Sequence, residues 1–164
     1  MHNNDSGKRE IVRGLEQEFA GLLAGLTEFI RSVPADLVYK QPRNASVTTI
    51  GENVLRSAAL VEQLFGGLTA NLWDDPFEWT LPETLSTPDL ILEYLVEVDA
   101  ARQRAFSCFV DDVDLLKYVT VPSGEPRYLL SLLLETLVRA SNYRGRAIAT
   151  VKILGDIGAA GFII

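Results

Sequence analysis

The residues with the clearest chemical potential form a cluster near the C-terminal end of the chain, R-A-S-N-Y-R-G-R-A at positions 139–147. The surrounding stretch, 128–155, is otherwise mostly apolar and has the composition of a buried helix. Guanidinium groups make forked hydrogen bonds to carboxylates and phosphates. The chemistry that this cluster suggests is therefore charge pairing or anion binding.

Helical geometry places several of these polar residues on one face. At about 100° per residue they fall within an arc of about 60°, with Tyr143 at its edge. Earlier in the chain, Glu52 and Arg56 stand four residues apart, on one face of another predicted helix. The residues within the arc are Glu135, Arg139, Asn142 and Arg146.

Three interpretations of these two faces remain open at this point. If they converge in a bundle core, their charges must pair, because an isolated buried charge is very costly. The first interpretation is an ion-pair network that links the second and fourth helices. The second is a pocket for a small anion, whose carboxylate or phosphate is held by Arg56 and Arg139. The third is a solvated face without a site.

Other catalytic patterns are absent from the sequence. The single histidine, His2, and the single cysteine, Cys108, cannot supply a Ser-His-Asp or Cys-His arrangement, and no phosphate-binding glycine motif occurs. Cys108 is expected at a buried, inert position. Asp111, Asp112 and Asp114 lack the spacing of a calcium loop, and we expect a solvated turn there.

Length and charge limit the class of protein. The chain has 164 residues and a net charge of −7, which predicts one domain and argues against nucleic acid as a partner. No segment has the character of a signal peptide or a membrane span, and one cysteine suits a reducing compartment, so a cytoplasmic protein is expected. Residues 1–7 are expected to be a disordered tail, and the apolar segment 158–164 to pack on the domain or on a second subunit.

Four segments show helical periodicity and predict an all-α protein, with a four-helix bundle as its architecture. Ser46 or Thr48 is the expected N-cap of the second helix, Thr87 followed by Pro88 begins the third, and Gly155 ends the fourth. Two long connections, 71–86 and 111–124, separate the helices, and the latter contains a strand-like K-Y-V-T-V. The predicted helices are 8–32, 46–67, 87–109 and 126–154.

Three stretches, in this order, resemble the DinB/YfiT-like superfamily of bacterial proteins. They are S-V-P-A-D-L-V-Y-K-Q-P, S-V-T-T-I-G-E-N-V-L-R and S-G-E-P-R-Y-L-L-S-L-L-L-E-T-L-V-R-A-S-N-Y-R-G-R, and they extend over nearly the whole chain. The resemblance implies a single four-helix bundle over residues 1–164 with up-down-down-up topology. It also implies a homodimer, which the apolar circumference of the fourth helix favours independently.

Many members of this superfamily bind a divalent metal through three histidines, and the resemblance aligns those positions with Arg56, Arg139 and Tyr143. Arg144 and Gly145 retain the flanking pattern. Arginine is permanently protonated and cannot ligate a cation. The resemblance therefore implies a degenerate metal site, and no metal or other cofactor is expected.

The function expected from these features is that of a DinB-like protein without the three-histidine site, non-catalytic and acting as a homodimer or as a binder of a small, anionic ligand. The alternative is a metal-independent or thiol-dependent transferase or hydrolase that uses the pocket at the former metal site. Two neighbours of the cluster carry expectations of their own: Arg144 buried against a carboxylate or in a dimer interface, and Gly145 at a close approach of helices. Trp73, Phe77 and Trp79 are expected to cover one end of the bundle rather than to roof a pocket.

Overall fold

Four α-helices and one small hairpin make up the computed structural model, which describes residues 8–43, 46–78 and 82–155. The helices are Glu10–Ser32 (α1), Ile50–Ala70 (α2), Pro88–Ser107 (α3) and Leu129–Leu154 (α4). The strands are Tyr118–Thr120 (β1) and Pro126–Tyr128 (β2), and short 3-10 turns occupy Ala35–Leu37, Pro76–Glu78 and Asp112–Leu116. The predictions for residues 1–7 and 158–164 lie outside the described residues.

The helix starts differ from the sequence prediction at two points. Helix α2 is capped by Thr49, not by Ser46 or Thr48: its hydroxyl accepts from the Glu52 amide, and the Glu52 carboxylate accepts from the Thr49 amide. Helix α4 begins at Leu129, not near residue 126, because residues 126–128 pair antiparallel with β1.

The predicted helix ends also need correction. Helix α2 continues through the predicted stop at residues 66–67 to Ala70 and ends where Asn71 adopts a left-handed conformation, φ 54°. Helix α3 ends at Ser107, which leaves Cys108 at its C-terminal cap and exposed to solvent, so the expected burial of this thiol is wrong. Gly155 caps α4 as predicted.

Helices α2 and α4 pack antiparallel and form the most extensive contact between helices. The Ser57 hydroxyl, fully buried, donates to the carbonyl of Ala140 at 2.8 Å. Near the other end of the pair, the Thr150 hydroxyl donates to the carbonyl of Thr48 at 3.3 Å. These two contacts fix the register in which the two helices face each other.

Helices α1 and α3 also run in opposite directions. The side chain of Arg9, at the start of α1, donates to the carbonyls of Phe106 and Phe109 at the end of α3, at 2.8 and 2.9 Å. Arg102, which is 5% exposed, lies 2.7 Å from Asp99 on its own helix and 3.8 Å from Glu16 of α1. Ionic and hydrogen-bonded contacts therefore join the N-terminal end of α1 to the C-terminal end of α3.

Helices α1 and α4 run parallel, which completes the up-down-down-up topology. The Asp112 carboxylate accepts hydrogen bonds from two amides in the first turn of α1, at 3.1 and 2.9 Å. Lys117, just beyond the same 3-10 turn, accepts from the first amide of α4 at 2.9 Å. Further along both helices, the guanidinium of Arg144 lies against Gly25. The predicted all-α four-helix bundle is confirmed.

The core is apolar and is centred on three aromatic rings from three helices. Phe19, Phe65 and Phe106 are fully buried, and their ring centroids lie 5.1 to 5.9 Å apart. Aromatic side chains of this size bury a large apolar area and prefer such tilted contacts. No helix within the described ranges is long and apolar enough to cross a membrane.

Candidate functional site

The α2–α4 pair brings the sequence-predicted residues to one level of the bundle. Arg56 precedes Ser57 on α2, and Ser57 contacts the carbonyl of Ala140 on α4. Arg139 directly precedes Ala140, and Tyr143 follows it by one helical turn. The register therefore places Arg56, Arg139 and Tyr143 at the same height, on two helices that pack against each other.

Arg56 is half-buried and rests on an aromatic ring. Its Cζ lies 3.8 Å from the ring centroid of Phe77, a cation–π contact between α2 and the connection that follows it. Within the described parts of the chain, Arg56 makes no ion pair with a carboxylate. The guanidinium thus lies over Phe77, and no carboxylate among the described residues neutralises its positive charge.

The connection that carries Phe77 is held against α2 by its own contacts. The Trp73 ring covers Gly67, where an added Cβ would lie 2.6 Å from ring atom Cε2. The Gln63 side chain donates to the carbonyl of Trp73 at 2.8 Å, and the Asp75 carboxylate accepts from the amide of Phe77 at 3.0 Å. Trp73 covers the end of α2, in line with the prediction, whereas Phe77 supports Arg56; Trp79 lies outside the described residues.

The Glu52 carboxylate accepts hydrogen bonds from the N-cap residue of its own helix. It accepts from both the amide and the hydroxyl of Thr49, at 2.8 and 2.9 Å. It also lies near Tyr39, whose ring packs on Gly51 and whose hydroxyl donates to the carbonyl of Leu85. Burial, followed by the charges of Glu52 and Glu83, raises the pKa of Tyr39 to about 12. Glu52 therefore has a structural role at the helix start.

All four residues of the arc on α4 are exposed, as the interpretation of a solvated face expects, and the arc carries more positive than negative charge. Glu135 pairs closely with Arg127 of β2 at 2.7 Å and only loosely with Arg139, at 3.8 Å. Arg146 is exposed, and its Cζ lies 5.0 Å from the ring centroid of Tyr143. Asn142, on the same arc, is exposed.

The expected ion-pair network between the second and fourth helices is not formed among the described residues. The physical reason is that both carboxylates have other partners: Glu52 belongs to a capping box, and Glu135 pairs with Arg127 and, within its own helix, with Arg139. The helices are instead joined by apolar packing and by the hydrogen bonds of Ser57 and Thr150.

The residues at the three aligned positions do not fit a transition metal. A guanidinium offers five N–H donors and no lone pair for a cation, so Arg56 and Arg139 would repel one. Tyr143 alone could contribute an oxygen. Within the described ranges, no group of three histidine, cysteine, aspartate or glutamate side chains is arranged to hold a metal ion. The chemistry of this place is that of hydrogen-bond donors and positive charge.

Arg144 projects from α4 towards α1 and is half-buried. Its guanidinium lies against α1, where a Cβ added at Gly25 would meet its Cζ at 2.9 Å. The Nε atom is buried and has no hydrogen-bond partner, and no carboxylate within the described chain pairs with Arg144, contrary to one expectation. At Gly145 no atom lies within 4 Å of a would-be Cβ, so the expected close approach of helices does not occur within the described chain.

A second concave region lies on the opposite side of the bundle, between α1 and α3. It is an open groove of about 520 Å³ with an apolar floor that includes Ala20, Ala24 and Leu95. Its polar lining includes Asp99 and Arg102, which pair with each other. The groove therefore lacks an uncompensated charge of the kind found at Arg56.

Comparisons with known proteins support the fold. No model of a known protein family matches the chain, and no curated protein matches its sequence. Among solved structures, the chain is similar to a crystal structure from Exiguobacterium sibiricum 255-15 that was proposed to be a member of the DinB family. The two share 18% sequence identity with a TM-score of 0.67, over 95% of this chain and all of the other. The chain therefore has the four-helix bundle fold of DinB-like proteins, the fold that the sequence motifs predicted.

Proposed function

We propose that this protein is a metal-free, non-catalytic DinB-like bundle that binds a small anion between α2 and α4. One observation carries the proposal: Arg56 is half-buried, fixed over Phe77 and without a carboxylate partner among the described residues. A partly desolvated guanidinium gains most when an anion supplies the missing acceptors. The positions that the resemblance aligns with metal ligands thus favour an anion in place of a cation.

The charges on α4 support the same polarity. Arg139 has only a loose partner at 3.8 Å, and Arg146 contacts Tyr143 but no carboxylate in the described chain. A small carboxylate or phosphate would receive forked hydrogen bonds from Arg56 and a favourable potential from the arginines of α4. The net charge of −7 over the whole chain disfavours large polyanions such as nucleic acids.

Isothermal titration with inorganic phosphate and acetate as probes tests this binding. Arg56→Gln should weaken the binding of an anion that the wild type holds by about 10-fold or more, because a hydrogen bond to a charged group contributes about 1.5–3 kcal/mol. Arg104→Gln is the matched control, since Arg104 is exposed on α3 and forms no ion pair with a described residue. Equal affinities of Arg56→Gln and wild type, or no binding by the wild type at millimolar concentration, would contradict the proposal.

The absence of catalysis is a separate part of the proposal and has its own test. The chain's one histidine, His2, is far in sequence from this place, and the pair of arginines offers no general base at neutral pH. A screen of thiol cofactors with transferase and hydrolase substrates should give no turnover. Turnover that is lost in Arg56→Gln would instead support an enzyme at the same place.

We also propose that the protein is a cytoplasmic homodimer. The free and exposed thiol of Cys108 suits a reducing compartment. The exposed side chains of Leu134 and Val138 on α4 leave apolar surface that a second subunit would cover. Light scattering of the purified protein decides the oligomeric part, because a monomeric mass at high concentration would contradict it.

A further inference from the structure

The outward side of α1 carries a stripe of residues that the rest of the described chain leaves uncovered. Ile11 is 56% exposed, and Glu18 is exposed. At Gly14 and Gly21 an added Cβ would meet no atom within 4 Å. Glycine costs roughly 1 kcal/mol relative to alanine inside a helix, and no packing within the described chain requires it at these two positions. The spacing of 3, 4 and 3 residues places the four positions on one face.

A matching stripe runs along α4 beside it. Leu134 and Val138 are 46% and 69% exposed, and the small residues Ser141, Gly145 and Ala149 continue the same face at helical spacing. Arg144, which neighbours Gly145, lies on Gly25 of α1, so the two stripes adjoin across the α1–α4 contact. Together they form what we term the α1–α4 face.

The two helices run parallel, and this gives the face a polarity. Its large apolar side chains, Ile11, Leu134 and Val138, lie in the half nearer the helix starts. The half nearer the helix ends has small residues, Gly21 and Gly145, on either side of the Arg144 guanidinium that lies over Gly25. A two-fold axis perpendicular to the face, at its middle, would place the half with large side chains (the raised half) of each copy on the half with small residues (the hollow half) of the other. Such a surface is self-complementary, as a two-fold interface requires.

Two uncompensated charges on the face are also complementary. Glu18 forms no ion pair within the described chain, and Arg144 has a buried Nε without an acceptor. Arg144 lies at the level of Gly25, seven residues beyond Glu18 along α1. The same two-fold axis, placed between these levels, brings each Glu18 towards the Arg144 of the other copy.

The size of the face fits a stable dimer. Helix α1 has 23 residues and is therefore about 35 Å long, and two adjacent helices present a width of about 20 Å. The resulting area, on the order of 700 Å² per copy, is close to the roughly 800 Å² per partner of a standard interface.

We infer that a second copy of this chain packs antiparallel on the α1–α4 face, with Leu134 and Val138 on the hollow half of the partner and Glu18 paired with the partner's Arg144. This inference rests on the homodimer proposed above and specifies its geometry. It assigns the open glycines of α1 and α4 to the close approach of helices from two subunits.

Light scattering and sedimentation of the full chain test the face. The wild type should have twice the monomer mass of 18.1 kDa, and Val138→Glu should raise the dimer dissociation constant by about 30-fold or more. Val96→Glu is the matched control, because Val96 is 68% exposed but lies on α3, in the groove on the other side. This control should remain dimeric, and circular dichroism should show both variants folded.

The outcomes distinguish the homodimer itself from the α1–α4 face as its interface. A monomeric wild type overturns both the homodimer and this face. A dimeric wild type with an equally dimeric Val138→Glu overturns the face alone, as does dissociation by Val96→Glu but not by Val138→Glu.

A charge exchange tests the pairing independently of the apolar contact. Glu18→Arg and Arg144→Glu should each weaken the dimer, because each sets like charges against one another across the axis. The double variant should recover at least 10-fold of the lost affinity. A double variant no tighter than either single variant would overturn the pairing of Glu18 with the partner's Arg144.

Discussion

Replacement of Gly51 by alanine offers a sharp test of how the start of α2 is built. A Cβ at this position would lie 2.7 Å from Cζ and 2.9 Å from Cδ1 of Tyr39, well inside the roughly 3.5–4.0 Å of a normal carbon contact. The ring cannot move freely, because its hydroxyl donates to the carbonyl of Leu85. Forced overpacking costs about 1–3 kcal/mol, and a strained hydrogen bond adds about 1 kcal/mol.

The gain in helix propensity opposes this cost and sets the net effect. Alanine is favoured over glycine by roughly 1 kcal/mol in a helix, so Gly51→Ala should lower the free energy of unfolding by about 1–3 kcal/mol. At 1 kcal/mol per roughly 2–4 °C, the melting temperature should fall by several degrees. Gly14→Ala, where space is open, should instead leave stability unchanged or raise it by up to about 1 kcal/mol.

Urea denaturation of the two alanine variants, alone and in a Tyr39→Ala background, measures this difference. The cost of Gly51→Ala should disappear once the ring is removed, because the two positions interact only through that contact. If Gly51→Ala is as stable as Gly14→Ala, or keeps its full cost in the absence of the Tyr39 ring, the reasoning is refuted.

Four further predictions concern stability. The pKa of Tyr39 is raised to about 12 from an ordinary value near 10, so the protonated hydroxyl contributes fully to the free energy of unfolding below pH 10. This contribution should be lost as the pH rises towards 12, and urea titrations across this range would detect the loss. Asp112→Ala removes the acceptor of two amides at the start of α1 and should cost about 1 kcal/mol in the same assay. Asp99→Asn leaves the 5% exposed Arg102 with Glu16, at 3.8 Å, as its remaining carboxylate and should cost about 1.5 kcal/mol in thermal unfolding. Ser57→Ala removes the buried bond from α2 to α4 and should cost about 1 kcal/mol, measured as a shift of the urea midpoint.

The fold was predictable because the pattern that specifies a helix lies within each segment and recurs in all four helices. Apolar residues at three- and four-residue spacing identified all four helices, and Thr87 and Gly155 marked two of their ends. The errors fall where a partner distant in sequence decides. Residues 126–128 directly precede the apolar pattern of α4, and their pairing with 118–120 makes them a strand. Thr49 and Thr48 have the same side chain, and only the position of Glu52 selects the cap.

The candidate site was less predictable, because side-chain contacts depend on packing between elements. The resemblance to the DinB/YfiT-like superfamily aligned Arg56, Arg139 and Tyr143 with one site, and the register of α2 and α4 places these three residues at one level of the bundle. Their partners were not predictable in the same way. Phe77 contacts Arg56 from a 3-10 turn 21 residues further along the chain, and Arg144 contacts Gly25 on another helix.

The packing of α2 on α4 bears on the positions that the resemblance to the DinB/YfiT-like superfamily aligns with metal ligands, two of which are arginines in this chain. A metal bound between two helices crosslinks them, and replacing its ligands by cations would be destabilising if the helices depended on that link. Here the contact rests on apolar side chains, on the buried hydroxyl of Ser57 and on the hydroxyl of Thr150. Because none of these contacts involves the side chain of Arg56 or Arg139, we expect neither arginine to be needed for the fold. Substitution of either arginine by glutamine should accordingly change anion binding while the free energy of unfolding stays within about 0.5 kcal/mol of wild type. A large loss of stability in Arg56→Gln would show instead that the cation–π contact with Phe77 holds the bundle together.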